Sequence, residues 1–172
     1  KNLEFQVDLA PAPVRLTRIL GPRSGAIGSD TAAQGDFDGD GMPDLMIGSP
    51  DDSPQGRREA GTIHILFGQD SHWPALIDTA PGQLPPKNQL RIAEIHGARG
   101  AAAGDRGDVL CYSGAAGDID GDGRDDIISN EMVGNGLAEN ALDVGNLIII
   151  SGRALLPPRP ARNRPMRVRP RK

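Results

Sequence analysis

Two short segments carry aspartates at the spacing of a cation-binding loop. One has the sequence DFDGDGMPD, residues 36–44, and the other has the sequence DIDGDGRDD, residues 118–126. Carboxylates this close along a chain repel one another unless a cation lies between them. Calcium takes about six to eight oxygen ligands, chiefly from carboxylates and backbone carbonyls. The two segments therefore predict two calcium-binding loops.

The spacing also predicts which positions of each loop bind the ion. Counted from the first aspartate, carboxylates stand at positions 1, 3, 5 and 9, and a glycine at position 6 permits a sharp turn around the ion. Position 7 can supply a backbone carbonyl. The predicted ligands are Asp36, Asp38, Asp40, Met42 and Asp44 in the first loop, and Asp118, Asp120, Asp122, Arg124 and Asp126 in the second.

The residues that follow each loop differ from those of an EF-hand. An EF-hand carries a bidentate glutamate at position 12, where this chain has Ile47 and Ser129. Short apolar runs follow the loops instead of helices. Two alternatives stay open: solvated turns rich in Asp and Gly, and other aspartate-loop families. Dockerin loops lie closer together beside helices, and thrombospondin-type repeats are denser and usually contain cysteine.

Apolar runs bounded by glycine recur around both loops and predict strands. VRLTRILG (14–21) and LRIAEIHG (90–97) precede the loops, and GTIHILFG (61–68) and GNLIIISG (145–152) follow them. We interpret these runs as equivalent landmarks of an internal repeat. No segment has the apolar periodicity of an amphipathic helix, so the fold class is predicted to be all-β.

Composition and charge narrow the class of protein. The chain has 172 residues, 23 of them Gly and 15 Pro, which favours turns and short strands. All 23 acidic residues but only 11 of the 19 basic ones lie before residue 153, a net charge of −12 that argues against nucleic-acid binding. The single cysteine, Cys111, excludes an internal disulfide. The longest aliphatic run, residues 147–150, is too short to span a membrane, so no transmembrane segment is expected.

These motifs resemble FG-GAP repeats, the blades of the β-propeller of integrin α-subunits. The loop in GDFDGDGMPDLMIGSP is similar to the calcium loop of such a blade, Gly48-Ser49-Pro50 stands at the Gly-Ala-Pro element, and Phe67-Gly68 ends the third strand. The second copy departs from the pattern, with Ser129-Asn130-Glu131 at that element. The resemblance spans residues 14–152 and implies two four-stranded blades of a partial propeller with calcium-binding hairpin loops.

The predicted organisation has four parts. Residues 1–13 are an N-terminal lead, residues 14–97 the first blade region, residues 98–152 the second, and residues 153–172 a disordered tail rich in Pro and Arg. A closed propeller needs roughly four to eight blades. Two blades therefore predict further blades in a longer protein, assembly of several copies, or an open pair of sheets whose edges favour self-association.

The resemblance implies a non-catalytic module in which two calcium ions are structural and which serves cell-surface adhesion or protein–protein recognition. We expect an extracellular or cell-surface location and a protein or surface ligand. The excess of Arg over Lys indicates a GC-rich, bacterial source. The alternative is an accessory propeller part of a larger secreted enzyme with its catalytic residues outside this chain, as beside the catalytic domain of glycosylphosphatidylinositol-specific phospholipases D.

Three further features of the sequence lie outside the aspartate loops. Residues 106–108 spell Arg-Gly-Asp, a tripeptide bound by adhesion receptors, although chance explains it in a chain of this composition. The basic tail could bind an acidic surface, but a solvated linker is the simpler interpretation. His64 and Cys111 lack metal or catalytic spacing and are predicted to be packed structural residues.

Overall fold

The structure is a computed structural model that describes residues 16–138 and 140–155. It contains nine strands in this part of the chain: β1 (Arg18–Leu20), β2 (Ala32–Gly35), β3 (Asp44–Ser49), β4 (Thr62–Leu66), β5 (Leu76–Asp78), β6 (Ile92–His96), β7 (Leu110–Gly117), β8 (Asp126–Glu131) and β9 (Asn146–Ile150). The helices described are two short 3₁₀ turns, Pro54–Gly56 and Gly152–Ala154. The all-β prediction is confirmed. Among the described residues, no helix has the length and apolar character needed to cross a bilayer.

The strands form two larger antiparallel sheets and one small pair. The first sheet has the order β2-β3-β4-β6, and the second sheet has the order β7-β8-β9. Strands β1 and β5 form a separate parallel pair. Residues 36–43 connect β2 to β3, and residues 118–125 connect β7 to β8, so each aspartate loop joins the first two strands of its sheet. This is the position that the resemblance to a propeller blade implies.

The first sheet is covered on both faces. Ile63, Ile65 and Met46 face the second sheet and pack with Leu110 and Ile127. The opposite face buries a smaller cluster, Ile47, Leu66, Ile77 and Leu90, under the β1–β5 pair. This double burial explains why β3 and β4 are apolar on successive residues, as is typical of strands with two covered faces.

The repeat was predicted incorrectly at its first landmark. The runs at 14–21 and 90–97 are not equivalent, because β1 pairs with β5 outside both larger sheets, whereas β6 is the fourth strand of the first sheet. The Pro-containing connection after β4 also holds a strand, β5, that was not predicted. The positions of β1 and β6 and the presence of β5 all depend on pairing between segments that are distant in the sequence. Local composition does not predict such pairing.

The second sheet has three strands in the described residues, where four were predicted. Residues 1–15 and 156–172 lie outside the described residues. The predicted lead at 1–13 and the predicted disorder of the tail therefore stay predictions.

Candidate metal centres

The two aspartate loops lie side by side, although 82 positions separate their first residues in the sequence. The N–H of Asp36 donates to Oδ2 of Asp125 at 2.7 Å. The N–H of Asp125 donates in return to the carbonyl oxygen of Asp36 at 3.0 Å. The first loop (residues 36–44) and the second loop (residues 118–126) are thus fixed to each other by one backbone–backbone bond and one bond to the side chain of Asp125.

Three carboxylates converge within each loop. Asp36, Asp38 and Asp40 each offer one oxygen, and these atoms lie within 4.8 Å of one another; Asp118, Asp120 and Asp122 form the same arrangement in the second loop. The first group is the more buried, since Asp38 is only 2% exposed. The structure therefore brings together six of the ten predicted ligands, as two groups of three.

The backbone holds the two groups in the same way. In the first loop the N–H of Asp40 donates to Asp36 at 3.0 Å and to Asp38 at 3.2 Å, and the N–H of Gly41 donates to Asp36 at 2.8 Å. In the second loop the N–H of Asp122 donates to Asp118 at 3.1 Å and to Asp120 at 3.0 Å, and the N–H of Gly123 donates to Asp118 at 3.0 Å. Each loop is therefore an independent copy of one folded turn.

The donor chemistry of both groups fits calcium. The converging atoms are hard carboxylate oxygens, the ligands that Ca²⁺ prefers. In the second loop Oδ2 of Asp122 is buried and accepts no hydrogen bond from the described residues, although Nε of Arg153 lies 3.1 Å away. Arg153 thus offsets the charge of this oxygen without a hydrogen bond, and the oxygen keeps lone pairs that a cation could accept. Asp36, Asp38 and Asp40 would hold one ion, and Asp118, Asp120 and Asp122 the other.

The fourth predicted carboxylate of each loop makes other contacts. Asp44 accepts the N–H of Phe37 at 2.9 Å and of Gly68 at 2.7 Å. Asp126 accepts the N–H of Ile119 and of Gly152, both at 3.0 Å. These bonds tie the start of each loop to the end of the third strand of its sheet. A carboxylate oxygen can accept more than one contact, so a ligand role for both residues stays a prediction.

The pKa values of these two equivalent carboxyls shift in opposite directions. Burial raises the pKa of Asp44 to about 6, and the nearby charges of Asp38 and Asp36 act in the same direction. The backbone N–H groups of Gly152 and Ile119 hold the pKa of Asp126 below its usual range. Both carboxyls are only 2% exposed, and the charges of Asp36 and Asp38 act on the pKa of Asp44 alone.

Position 7 contacts the loop through its backbone N–H in both copies. Met42 donates to Asp40 at 2.9 Å, and Arg124 donates to Asp122 at 3.1 Å. These bonds complete the turn around the converging oxygens. The ligand role that the sequence predicts for the two carbonyl oxygens stays a prediction.

The glycines at positions 4 and 6 are required by the backbone of each turn. Gly39 and Gly41 have φ of 70° and 79°, and Gly121 and Gly123 have φ of 74° and 88°. Residues with a Cβ atom reach this left-handed region at a cost of about 1–2 kcal/mol. Two glycines per loop thus let the chain wrap around a centre with the N–H groups directed at carboxylates.

We expect Gly123→Ala to lower the free energy of unfolding by about 1–2 kcal/mol through backbone conformation alone. A Cβ atom at Gly123 would meet no atom within 4 Å, so no steric clash contributes. Gly117→Ala is the matched control, because its Cβ would also meet nothing and its φ lies outside the left-handed region. Urea unfolding of both variants measures the difference, and equal stability of the two would contradict this account of the turn.

The aspartate of the Arg-Gly-Asp tripeptide is buried in an ion pair, whereas its arginine is half exposed. The carboxylate of Asp108 is almost fully buried and accepts the backbone N–H of Arg99 at 2.6 Å, and Nε of Arg99 lies 3.2 Å from Asp108. Arg106 contacts Glu59 at 3.2 Å. Since an adhesion receptor needs an accessible aspartate, this geometry disfavours a ligand function for residues 106–108.

His64 and Cys111 are buried, as the sequence predicts for packed structural residues. Nε2 of His64 lies 3.1 Å from Oγ of Ser49, and Nδ1 lies 3.3 Å from Oε1 of Glu94. This Ser–His–Glu row resembles a hydrolytic triad in its distances only, because Ser49 is 0% and His64 1% exposed. The row links β3, β4 and β6 and runs from the buried Ser49 and His64 to Glu94 at the surface.

Two residues of the site carry no signal in the sequence. Arg91 contacts the carboxylate of Asp38 with its guanidinium, and Asp125 joins the two loops. Their partners lie 53 and 89 positions away along the chain. Only the fold brings these pairs together.

Comparison with known families agrees with this geometry. The family model of the FG-GAP repeat matches residues 30–66, which contain β2, the first loop, β3 and β4. Residues 30–66 form an FG-GAP repeat. No curated protein matches the chain. The second loop lies outside the matched segment, and its likeness to the FG-GAP repeat rests on the shared hydrogen bonds and on its place between the first two strands of a sheet.

Proposed function

We propose that this chain is a non-catalytic module of β-propeller blades in which two calcium ions are structural. The observation that supports it is the duplication of one turn, in which three carboxylates converge around the same backbone N–H pattern in both loops. Calcium in each loop would remove the repulsion between the carboxylates and fix the first hairpin of each sheet. Because the loops contact each other, the ions would also fix one sheet relative to the other.

The proposed role is recognition of a protein or surface ligand, including adhesion. The exposed side chains of β9 support association with another sheet, since Leu147 is 75% and Ile149 59% exposed. Strand β9 pairs only with β8 among the described residues, which leaves one edge open. Open edges and exposed apolar side chains favour pairing with further blades or with a second copy.

The proposed location is extracellular or on the cell surface. Extracellular calcium modules bind with dissociation constants of about 10⁻⁴–10⁻³ M, in keeping with the calcium level outside cells. The loops are partly exposed to solvent, which suits weak rather than nanomolar binding. A dissociation constant below micromolar would contradict this part of the proposal.

A thermal melt with calcium titrated from chelator to millimolar concentration tests the proposal. At free calcium ten times the dissociation constant, each site adds about 1.4 kcal/mol to the free energy of unfolding. For two sites in a chain of this size we expect Tm to rise by roughly 6–11 °C. Magnesium is the control, since it keeps its water ligands and should produce a much smaller rise. An equal response to both ions, or none, would contradict the proposal.

A further inference from the structure

We propose that Arg91 is a built-in counter-ion of the first loop, which holds Asp38 in place when no metal is bound. The inference concerns the loop that the proposed function assigns to calcium, and it rests on that assignment for its calcium-dependent part. Its consequence is that the two loops are unequal, and that the larger share of calcium-dependent stability resides in the second loop.

The contacts of Arg91 define the counter-ion. The residue directly precedes β6, and its Nη2 contacts Oδ2 of Asp38. The guanidinium lies over the ring of Phe67, 4.3 Å from its centroid. The side chain of Asp38 is 1% exposed and that of Arg91 30% exposed. An aromatic ring and a neighbouring strand therefore position a permanent positive charge on the most buried carboxylate of the loop.

The second loop has a much weaker equivalent. Asp120 occupies the position of Asp38 there and is exposed. The guanidinium near this loop belongs to Arg153, whose Nε lies 3.1 Å from Oδ2 of Asp122, and its side chain is 73% exposed. Ion pairs in solvent contribute little to stability, whereas removing one partner of a buried pair leaves an uncompensated charge.

These differences assign separate roles to the two loops. Arg91 offsets part of the repulsion within the first loop, so this loop keeps its shape without calcium. The same positive charge opposes a second cation and lowers the affinity of the first loop for calcium. The second loop contains Arg124, which is partly buried like Arg91, but its side chain lies against Gly39 of the first loop. The three carboxylates of the second loop therefore depend more on the metal.

Arg91→Met tests the inference, because methionine can keep the packing over Phe67 while it removes the charge. We expect Arg91→Met to have a lower Tm in chelator than the unaltered chain and a calcium-induced rise in Tm at least twofold larger. Arg91→Lys should fall between the two, since it keeps the charge without the planar guanidinium. Arg153→Met is the matched control, and we expect it to change neither quantity appreciably.

The outcomes separate this inference from the proposed function. If Arg91→Met and the unaltered chain have the same Tm in chelator and the same calcium response, the inference is wrong. If no variant responds to calcium, the proposed function is wrong. The counter-ion role is then tested by the Tm in chelator alone, which should still be lower in Arg91→Met than in the unaltered chain. Should Arg91→Met not fold, the double variant Asp38→Asn with Arg91→Met removes both charges. Recovery of folding by the double variant supports the counter-ion role, and failure to recover contradicts it.

Discussion

Substitution of Asp36 and Asp118 together by Asn should abolish the calcium-induced rise in Tm. Each of these residues opens its loop and contributes an oxygen to the converging group. An amide has one oxygen acceptor and no charge, so it both weakens calcium binding and leaves a backbone N–H of the turn without its acceptor. For Asp118 the donors are the N–H groups of Gly121 and Asp122 on one oxygen and of Gly123 on the other.

The two single variants, Asp36→Asn and Asp118→Asn, should reduce the calcium-induced rise in Tm by different amounts. Because Arg91 partly neutralises the first loop, Asp118→Asn should remove more of the calcium response than Asp36→Asn. Differential scanning calorimetry in chelator and in millimolar calcium measures the calcium-induced rise in Tm of each variant. Asp30→Asn combined with Asp70→Asn is the control, since it changes the net charge equally at exposed positions outside the loops. A double loop variant that keeps the full calcium response would exclude these loops as the binding sites.

The second large effect is expected at the contact between the two sheets. The N–H groups of Val109 and Leu110 donate to the carbonyl oxygens of Glu59 and Ala60, both at 3.0 Å. Gly61 continues this contact with φ of 83°, and a Cβ atom added there would lie 2.4 Å from the backbone N of Leu110. That atom belongs to the backbone, so neither a rotamer change nor a small side-chain movement can relieve the clash.

We expect Gly61→Ala to lower the free energy of unfolding by about 3 kcal/mol or more, which combines the cost of the left-handed backbone with that of overpacking. Gly56→Ala is the matched control, because Gly56 has φ of 79° in the same β3–β4 connection and its Cβ would meet nothing within 4 Å. Its cost should be about 1–2 kcal/mol. Urea unfolding gives both values, and equal destabilisation by the two variants would show that the sheets do not meet closely at Gly61.

Features that depend on neighbouring residues could be predicted from the sequence. The spacing of the aspartates predicts four carboxylates and one backbone carbonyl around a centre in each loop, and each turn brings three of the four carboxylates together. The glycines of each turn lie at the positions where the backbone is left-handed. The runs GTIHILFG and GNLIIISG contain β4 and β9, because apolar runs of this length between glycines favour strands. Strand β4 is buried throughout, whereas β9 leaves Leu147 and Ile149 exposed.

Features that depend on distant residues could not be predicted. Strand β1 resembles β6 in its sequence, but it pairs with β5. This pair packs Ile19 and Ile77 against the second face of the first sheet and buries the apolar side chains there. Asp44 was predicted as a calcium ligand, and its hydrogen bonds to Phe37 and Gly68 depend on how β4 ends beside the loop. Arg91 had no predicted role, since only strand β6 brings it to Asp38.

Isothermal titration of calcium into the metal-free chain tests the central claim most directly. Two carboxylate groups that share one backbone arrangement predict two calcium ions per chain, with dissociation constants of about 10⁻⁴–10⁻³ M. The weaker of the two sites should disappear in Asp38→Asn and the tighter in Asp120→Asn. A chain that is folded in chelator and binds no calcium at millimolar concentration would contradict the claim, and the aspartate loops would then be turns held by their backbone hydrogen bonds alone.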